Sequence, residues 1–266
     1  MTPEIIFEDK NLLVLDKPAG MIVNKSDTTK GETTLQDWVE GYLKIQNQKS
    51  HLSPAGEISN KFQIQNNNYG GQSKLDFVNR AGIVHRLDKE TSGIILIAKT
   101  YDAFTNLQSQ FKERKVRKTY LALTHGKIEP EKGEINVAVG RLPWNRKRFG
   151  VLSGGRESIT EYRVRNVKYL VSGKEKEPLS LVELSPKTGR THQIRVHLQY
   201  IKHPIFADPL YAGRKTGRND RKLLPRVFLH ASKISFFHPK TEEQMSFESP
   251  LPEELADFIS NISDRP

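Results

Sequence analysis

Short apolar runs alternate with polar turns along this chain, and their spacing separates strands from helices. Ile5 to Phe7 and Leu12 to Leu15 flank the polar turn Glu8-Asp9-Lys10-Asn11 and predict a β-hairpin. Between residues 33 and 46, Leu35, Trp38, Val39, Tyr42 and Leu43 recur at i, i+3, i+4, i+7 and i+8. That is one face of an amphipathic helix, and Thr34 and Asp37 are placed to start it. Ile94 to Lys99 predicts a buried strand, and Asp102 caps a helix carrying Phe104, Leu107 and Phe111. Further strands are predicted at Tyr120 to Thr124, Glu134 to Val139, Ser158 to Val167, Leu179 to Leu184 and Val227 to Phe237. A helix is predicted to start near Arg190 with Ile194, Leu198 and Ile201 on its core face, and Pro252 to Ile262 predicts a short closing helix. Regular strand–helix–strand alternation is missing. The expected class is therefore α+β, with a mixed, mostly antiparallel central sheet and flanking helices.

Residues 47 to 74 break the pattern, being polar and rich in Asn, Gln, Ser and Gly. The stretch is longer than most ordered loops, so the expectation is a mobile insertion within a single domain spanning 1–266.

Composition narrows the function classes. Lys plus Arg number 42 and Asp plus Glu 31, a net charge of +11, which favours a polyanionic partner. A merely basic soluble protein fits the same count. With no cysteine there is no disulfide, thiolate nucleophile or cysteine-ligated zinc. No apolar run reaches the length of about 18 residues that a membrane span needs, and Met1-Thr2-Pro3-Glu4 does not begin a secretory signal. A cytoplasmic protein with no membrane partner is expected.

The densest chemistry lies in Gly82-Ile83-Val84-His85-Arg86-Leu87-Asp88-Lys89-Glu90-Thr91-Ser92-Gly93. In an extended stretch Arg86 and Asp88 share one face while His85 and Leu87 take the other. A carboxylate held beside a guanidinium stays ionised at neutral pH and can act as nucleophile or base. A structural ion pair bracing a turn fits as well. Lys112, Arg114, Lys115, Arg117 and Lys118 form a basic edge leading into the strand at Tyr120, either a phosphate-contacting rim or a solvated face. Lys187, Arg190 and Arg195 flank the helix start expected near Arg190, where free N–H groups favour an anion. His192 and His197 stand five apart with no accompanying carboxylate, so no metal site is expected. A phosphate-binding P-loop, a kinase Asp-Phe-Gly and a Gly-x-Ser-x-Gly elbow are all missing from the sequence.

Taken together, these blocks resemble the RluA-type RNA pseudouridine synthases. The resemblance is carried by Asn11 to Gly20 with its Lys17-Pro18-Ala19-Gly20, by His85-Arg86-Leu87-Asp88 with Thr91-Ser92-Gly93, and by Arg117-Lys118-Thr119-Tyr120-Leu121-Ala122. It continues in Thr188 to His197, His203-Pro204-Ile205, Asp208-Pro209-Leu210-Tyr211 with Gly213, and Leu229-His230-Ala231. It implies the pseudouridine synthase fold and isomerisation of specific uridines in ribosomal or transfer RNA, without metal or organic cofactor. It also implies roles for single residues: Asp88 as the aspartate that attacks the nucleotide, Tyr120 as the tyrosine packing on the flipped base and assisting proton removal, and Arg190 as the arginine paired with the catalytic carboxylate. Arg86 would fill the gap left by the displaced base. Arg86, Lys112, Lys115, Lys118, Lys187 and Arg195 are the expected RNA contacts, and the expected working unit is a monomer without an N-terminal S4-type domain. Two departures stand out: Val23-Asn24-Lys25 follows the Lys-Pro-x-Gly segment where His-Pro is common, and the 47–74 stretch is long. A catalytically inactive RNA-binding protein of the same fold, or a hydrolase using Asp88 and Tyr120, would share some of these features.

Overall fold

The computed structural model describes residues 1–26, 29, 31–50, 72–172 and 175–265. The expected hairpin is present as β1 (Glu4–Glu8) and β2 (Leu12–Lys17), and the expected helix as α1 (Leu35–Ser50). Most of the stretch expected to be a mobile insertion falls outside the described residues. Its two ends are ordered: the first continues α1, and the second opens α2 (Gln72–Asn79), which the sequence reading missed.

β3 (Ser92–Ala98) and α3 (Tyr101–Lys112) follow as expected, except that Thr100 rather than Asp102 caps α3, its side chain accepting from the Ala103 N–H at 3.2 Å. Next come β4 (Arg117–His125), β5 (Lys132–Asn136), β6 (Val139–Arg141), β7 (Phe149–Val151), β8 (Ile159–Ser172) and β9 (Glu175–Pro186). The chain ends with α4 (Gln193–Tyr200), α5 (Arg214–Asp220), β10 (Leu229–Phe237), β11 (Gln244–Glu248) and α6 (Glu253–Ser260). One nine-stranded sheet runs in the order β1-β2-β3-β10-β4-β9-β8-β5, with β11 alongside β10, and β6 and β7 form a separate ribbon. Every pairing between named strands is antiparallel except β3 with β10. The mixed, mostly antiparallel α+β architecture agrees with the sequence reading.

Period two explains why β2 and β3 are apolar throughout. Leu13, Leu15, Ile95 and Ile97 point to one face and join Leu35 and Val39 of α1. Leu12, Val14, Ile94, Leu96 and Ala98 point to the other and join Phe104 and Leu107 of α3. With a layer on each side, neither face tolerates a polar position.

The parallel contact of β3 with β10 is short: His230 opposes Ser92 and Ala231 opposes Gly93. Beyond it, the segment leading to the Asp88 turn takes the place of a strand. Ala98 N–H donates to Gly82 O at 2.9 Å, Ile83 bridges Ile97, and Leu96 N–H donates to His85 Nε2 at 3.0 Å. Two glycines bracket this arrangement for steric reasons. A Cβ at Gly82 (φ +74) would stand 2.0 Å from Ala98 O, and one at Gly93 (φ +111) would stand 2.3 Å from Ala231 O. Gly93→Ala should therefore lower stability by roughly 2–4 kcal/mol, read as a drop in the urea midpoint at unchanged slope. A midpoint equal to wild type would refute the close approach.

Candidate active site

Asp88 sits in the loop just before β3, fixed on both flanks. On one flank Lys17, fully buried at the end of β2, donates through Nζ to the carbonyls of Pro18 and Met21 at 2.9 Å and of Lys89 at 3.2 Å. Gly20 N–H donates to the same Lys89 carbonyl at 2.8 Å. On the other flank Glu90 accepts from Val227 N–H at 3.0 Å and pairs with Arg221. The Lys-Pro-x-Gly block and the Asp88 turn, 72 residues apart at the Lys17–Lys89 contact, are thus one structure. Beneath the loop, Arg226 donates to Ser92 Oγ at 2.8 Å and Ser92 Oγ lies 2.9 Å from His230 Nδ1. His230 Nε2 reaches Ser249 O at 3.1 Å, so Nε2 carries the proton and Nδ1 accepts from the serine.

The Asp88 carboxylate meets a guanidinium, but not that of Arg190. Arg195 Nη1 donates to Asp88 Oδ2 at 3.0 Å, while Nε and Nη2 of the same side chain bind Asp208 at 2.7 and 2.9 Å. Asp208 is fully buried and also accepts from the N–H groups of Leu210 and Tyr211 at 2.9 and 3.1 Å. Burial alone would lower the Arg195 pKa, but hydrogen bonds and charge from Asp208, with the charge of Asp88, carry it above its ordinary value. The Tyr211 ring lies 5.0 Å from the guanidinium carbon. This corrects two expectations. Helix α4 begins at Gln193 rather than near Arg190, which turns Arg195 inward within its first turn. Arg190 stays in the loop, its backbone N–H on Gln193 Oε1 at 3.0 Å and its Nε on Glu157 O at 3.2 Å. Arg195, buried and occupied by two carboxylates, is not placed to contact a phosphate.

His192, adjacent to the helix, adopts a left-handed backbone (φ 56). Its Nδ1 lies 2.8 Å from the Tyr211 hydroxyl, which accepts from Phe149 N–H at 3.1 Å. The hydroxyl proton then goes to Nδ1, and Nε2–H faces Asp88 Oδ2 at 3.8 Å. Burial lowers the His192 pKa against the opposing pull of Asp88. His85 is neutral too: burial and the Lys118 and Arg80 charges hold its pKa at about 3, consistent with its accepting Leu96 N–H.

Asp88 and Tyr120 line one cleft of about 460 Å³. Val116, Lys118 and Tyr120 enter it from alternate positions of one extended segment, as period two requires. Tyr120 is 8% exposed, and burial together with the Asp88 charge pushes its phenol up, so it stays protonated at neutral pH. Burial holds the Lys118 ammonium down at about 8; it lies 5.8 Å from the Phe111 ring centre. Of the other expected RNA contacts, Arg86, Lys112 and Lys187 also line the cleft. Lys187 is paired with Glu161 at 2.7 Å, whereas Arg86 and Lys112 have no ion-pair partner among the described residues. Lys115 is not among the lining residues and is paired with Glu113 at 2.7 Å. The sequence reading missed Asp208 and Tyr211 as site members, although both stand in one of its blocks.

Against known proteins, residues 11–200 match the RNA pseudouridylate synthase family. The chain belongs to that family. It is 35% identical over 266 residues to ribosomal large subunit pseudouridine synthase D of Nitrosomonas europaea, covering 99% of this chain and 66% of that one. It is 33% identical to the uncharacterized RNA pseudouridine synthase YlyB of Bacillus subtilis, covering 98% of this chain and 73% of that protein. Among solved structures, human RNA pseudouridylate synthase domain containing 1 superposes with a TM-score of 0.69 at 25% identity, over 99% of this chain and 89% of that one. Against two Neisseria meningitidis D-type synthases, this RNA pseudouridylate synthase family member spans 61% of their length.

Two measurements check the site. Lys17 is held near pKa 7 by burial and by Arg226, opposed by Asp88 and Asp16, and Lys118 near 8 by burial. Both folded-state values lie below the unfolded one of 10.5, so the unfolded chain binds the protons more tightly. Stability from these groups rises with pH from about 7 towards 10.5. Lysine-selective NMR should show two side chains titrating near 7 and 8, the second lost in Lys118→Arg; ordinary titration of all lysines would refute the burial. Asp208→Ala leaves Arg195 a buried charge with half its partners and should cost about 3–5 kcal/mol, which chemical denaturation can measure.

Proposed function

We propose that the chain isomerises uridine to pseudouridine within RNA, with Asp88 as the attacking carboxylate. The observation that carries this reading is the Asp88–Arg195–Asp208 arrangement opening onto a cleft shared with Tyr120. Arg195 fixes one Asp88 oxygen, and the other accepts no hydrogen bond among the described residues. The reaction breaks the N1–C1′ bond, turns the uracil and forms a C5–C1′ bond; the C5 hydrogen leaves and N1 gains a proton, so the formula is unchanged. The nucleotide has to leave its stack to reach Asp88, at a cost of a few kcal/mol. The Tyr120 ring offers the flipped base a face, and its protonated hydroxyl offers a hydrogen bond. Arg86, exposed beside Asp88 and without an ion-pair partner among the described residues, is placed to fill the vacated position.

Ribosomal RNA is the proposed substrate class, on the strength of the D-type relatives' names. Release of tritium from RNA labelled at uridine C5 should follow addition of the protein and vanish in Asp88→Asn. Turnover persisting in that variant would remove Asp88 from the role, and no release by wild type from ribosomal RNA would overturn the activity.

A further inference from the structure

The basic run expected to meet RNA, Lys112 to Lys118, is partly spent on neighbouring acids: Arg114 pairs with Glu157 and Lys115 with Glu113. A second basic stretch is not. Residues 137–156 hold Arg141, Arg146, Lys147, Arg148 and Arg156 and no acidic residue. Among the described residues none of these five has an ion-pair partner. In their midst Trp144 is 76% exposed, an expensive way to leave a large indole unless something covers it.

The stretch is ordered. Leu142 N–H donates to Arg148 O at 3.0 Å, closing the loop between β6 and β7, and Arg148 N–H donates to Asn145 O at 2.9 Å. Asn145 N–H donates to Leu142 O at 3.2 Å, and Arg141 Nη1 donates to Arg146 O at 2.6 Å. The ribbon rests against the candidate active site. Phe149 packs edge-on to His192 at 5.5 Å between ring centres, and Arg148 lies 5.3 Å from the centre of the Tyr211 ring. Arg148 Nε is buried there with no hydrogen-bond partner. An exposed aromatic ring amid cations without ion-pair partners, on a ribbon packed against a cleft-lining histidine, has the composition of a single-strand nucleic-acid platform, where bases stack and phosphates meet guanidinium groups.

We infer that the β6–β7 loop binds an unpaired RNA segment adjoining the target nucleotide, with one base stacked on Trp144 and phosphates on Arg141, Arg146 and Lys147. The inference rests on the proposed action on RNA and adds a site that selects single-stranded flanks. The base stack is sequence-tolerant, since every base has a π-face.

The two tryptophans can be separated. Trp38 stacks on Tyr42 at 4.9 Å, so Trp38→Phe leaves Trp144 as the lone indole. Titrating that variant with a short oligouridylate should quench its emission. A base-free oligomer of abasic deoxyribose phosphates should bind more weakly and leave the emission unchanged. In an otherwise wild-type chain, Trp144→Ala should weaken oligouridylate binding roughly 5- to 100-fold. Neutralising Arg146 and Lys147 should reduce the salt slope by about 0.7 per lost phosphate contact. No quench, or an affinity unchanged in Trp144→Ala, overturns the inference. Quenching without tritium release from ribosomal RNA would leave this surface standing while the proposed activity fell. Turnover with KM and oligouridylate affinity unmoved in Trp144→Ala would do the reverse.

Discussion

The site depends on one guanidinium. Arg195 spends two of its donor groups on Asp208, which is itself saturated by two backbone N–H groups, and turns a third towards Asp88. Burying a carboxylate or a guanidinium alone would be prohibitive; burying them in register makes each the other's solvent. Asp208 cannot move without leaving Leu210 and Tyr211 unpaired, and Arg195 cannot rotate without leaving Asp208. Asp88 therefore receives a positive partner whose direction is fixed by Asp208 and the backbone that holds it.

The same logic links the separate sequence blocks. Lys17 and Gly20 hold the Lys89 carbonyl, Glu90 ties the loop to the segment before β10, and Ser92 joins Arg226 to His230. Each block supplies one polar group that another leaves open. Blocks this distant along the chain close one hydrogen-bond network, and the fold is the shape that lets them meet.

Local patterns were legible in the sequence, and long-range partnerships were not. The β1–β2 hairpin, α1, β3 and α3 each announce themselves by periodicity within a dozen residues. Helix α2 has few apolar positions and adjoins a polar stretch, and α5, Arg-Lys-Thr-Gly-Arg-Asn-Asp, has no apolar face at all. Tertiary bonds hold α5 in place: Asp220 accepts from Ala207 N–H at 3.1 Å and lies 3.0 Å from His125 Nε2. The resemblance assigns the pairing to Arg190, but the helix start at Gln193 makes Arg195 the residue that points inward. Gln193 makes that start by using its amide fully: Oε1 accepts from Thr188 and Arg190, and Nε2 donates to Ile159 O and Thr160. Trp144 and its arginines escaped notice because an exposed aromatic means little until its neighbours are known to lack counterions.

The stand-in strand formed by Gly82 to His85 bears on how the molecule can move. Swinging the Asp88 loop outward would strip the Leu96 and Ala98 N–H groups of their acceptors, the His85 ring and the Gly82 carbonyl, in the middle of a two-faced core. Such a site has no hinge of its own. For the RNA proposed as substrate, accommodation would fall on the nucleic acid, so an RNA already bulged or frayed at the target would have the advantage over a regular duplex.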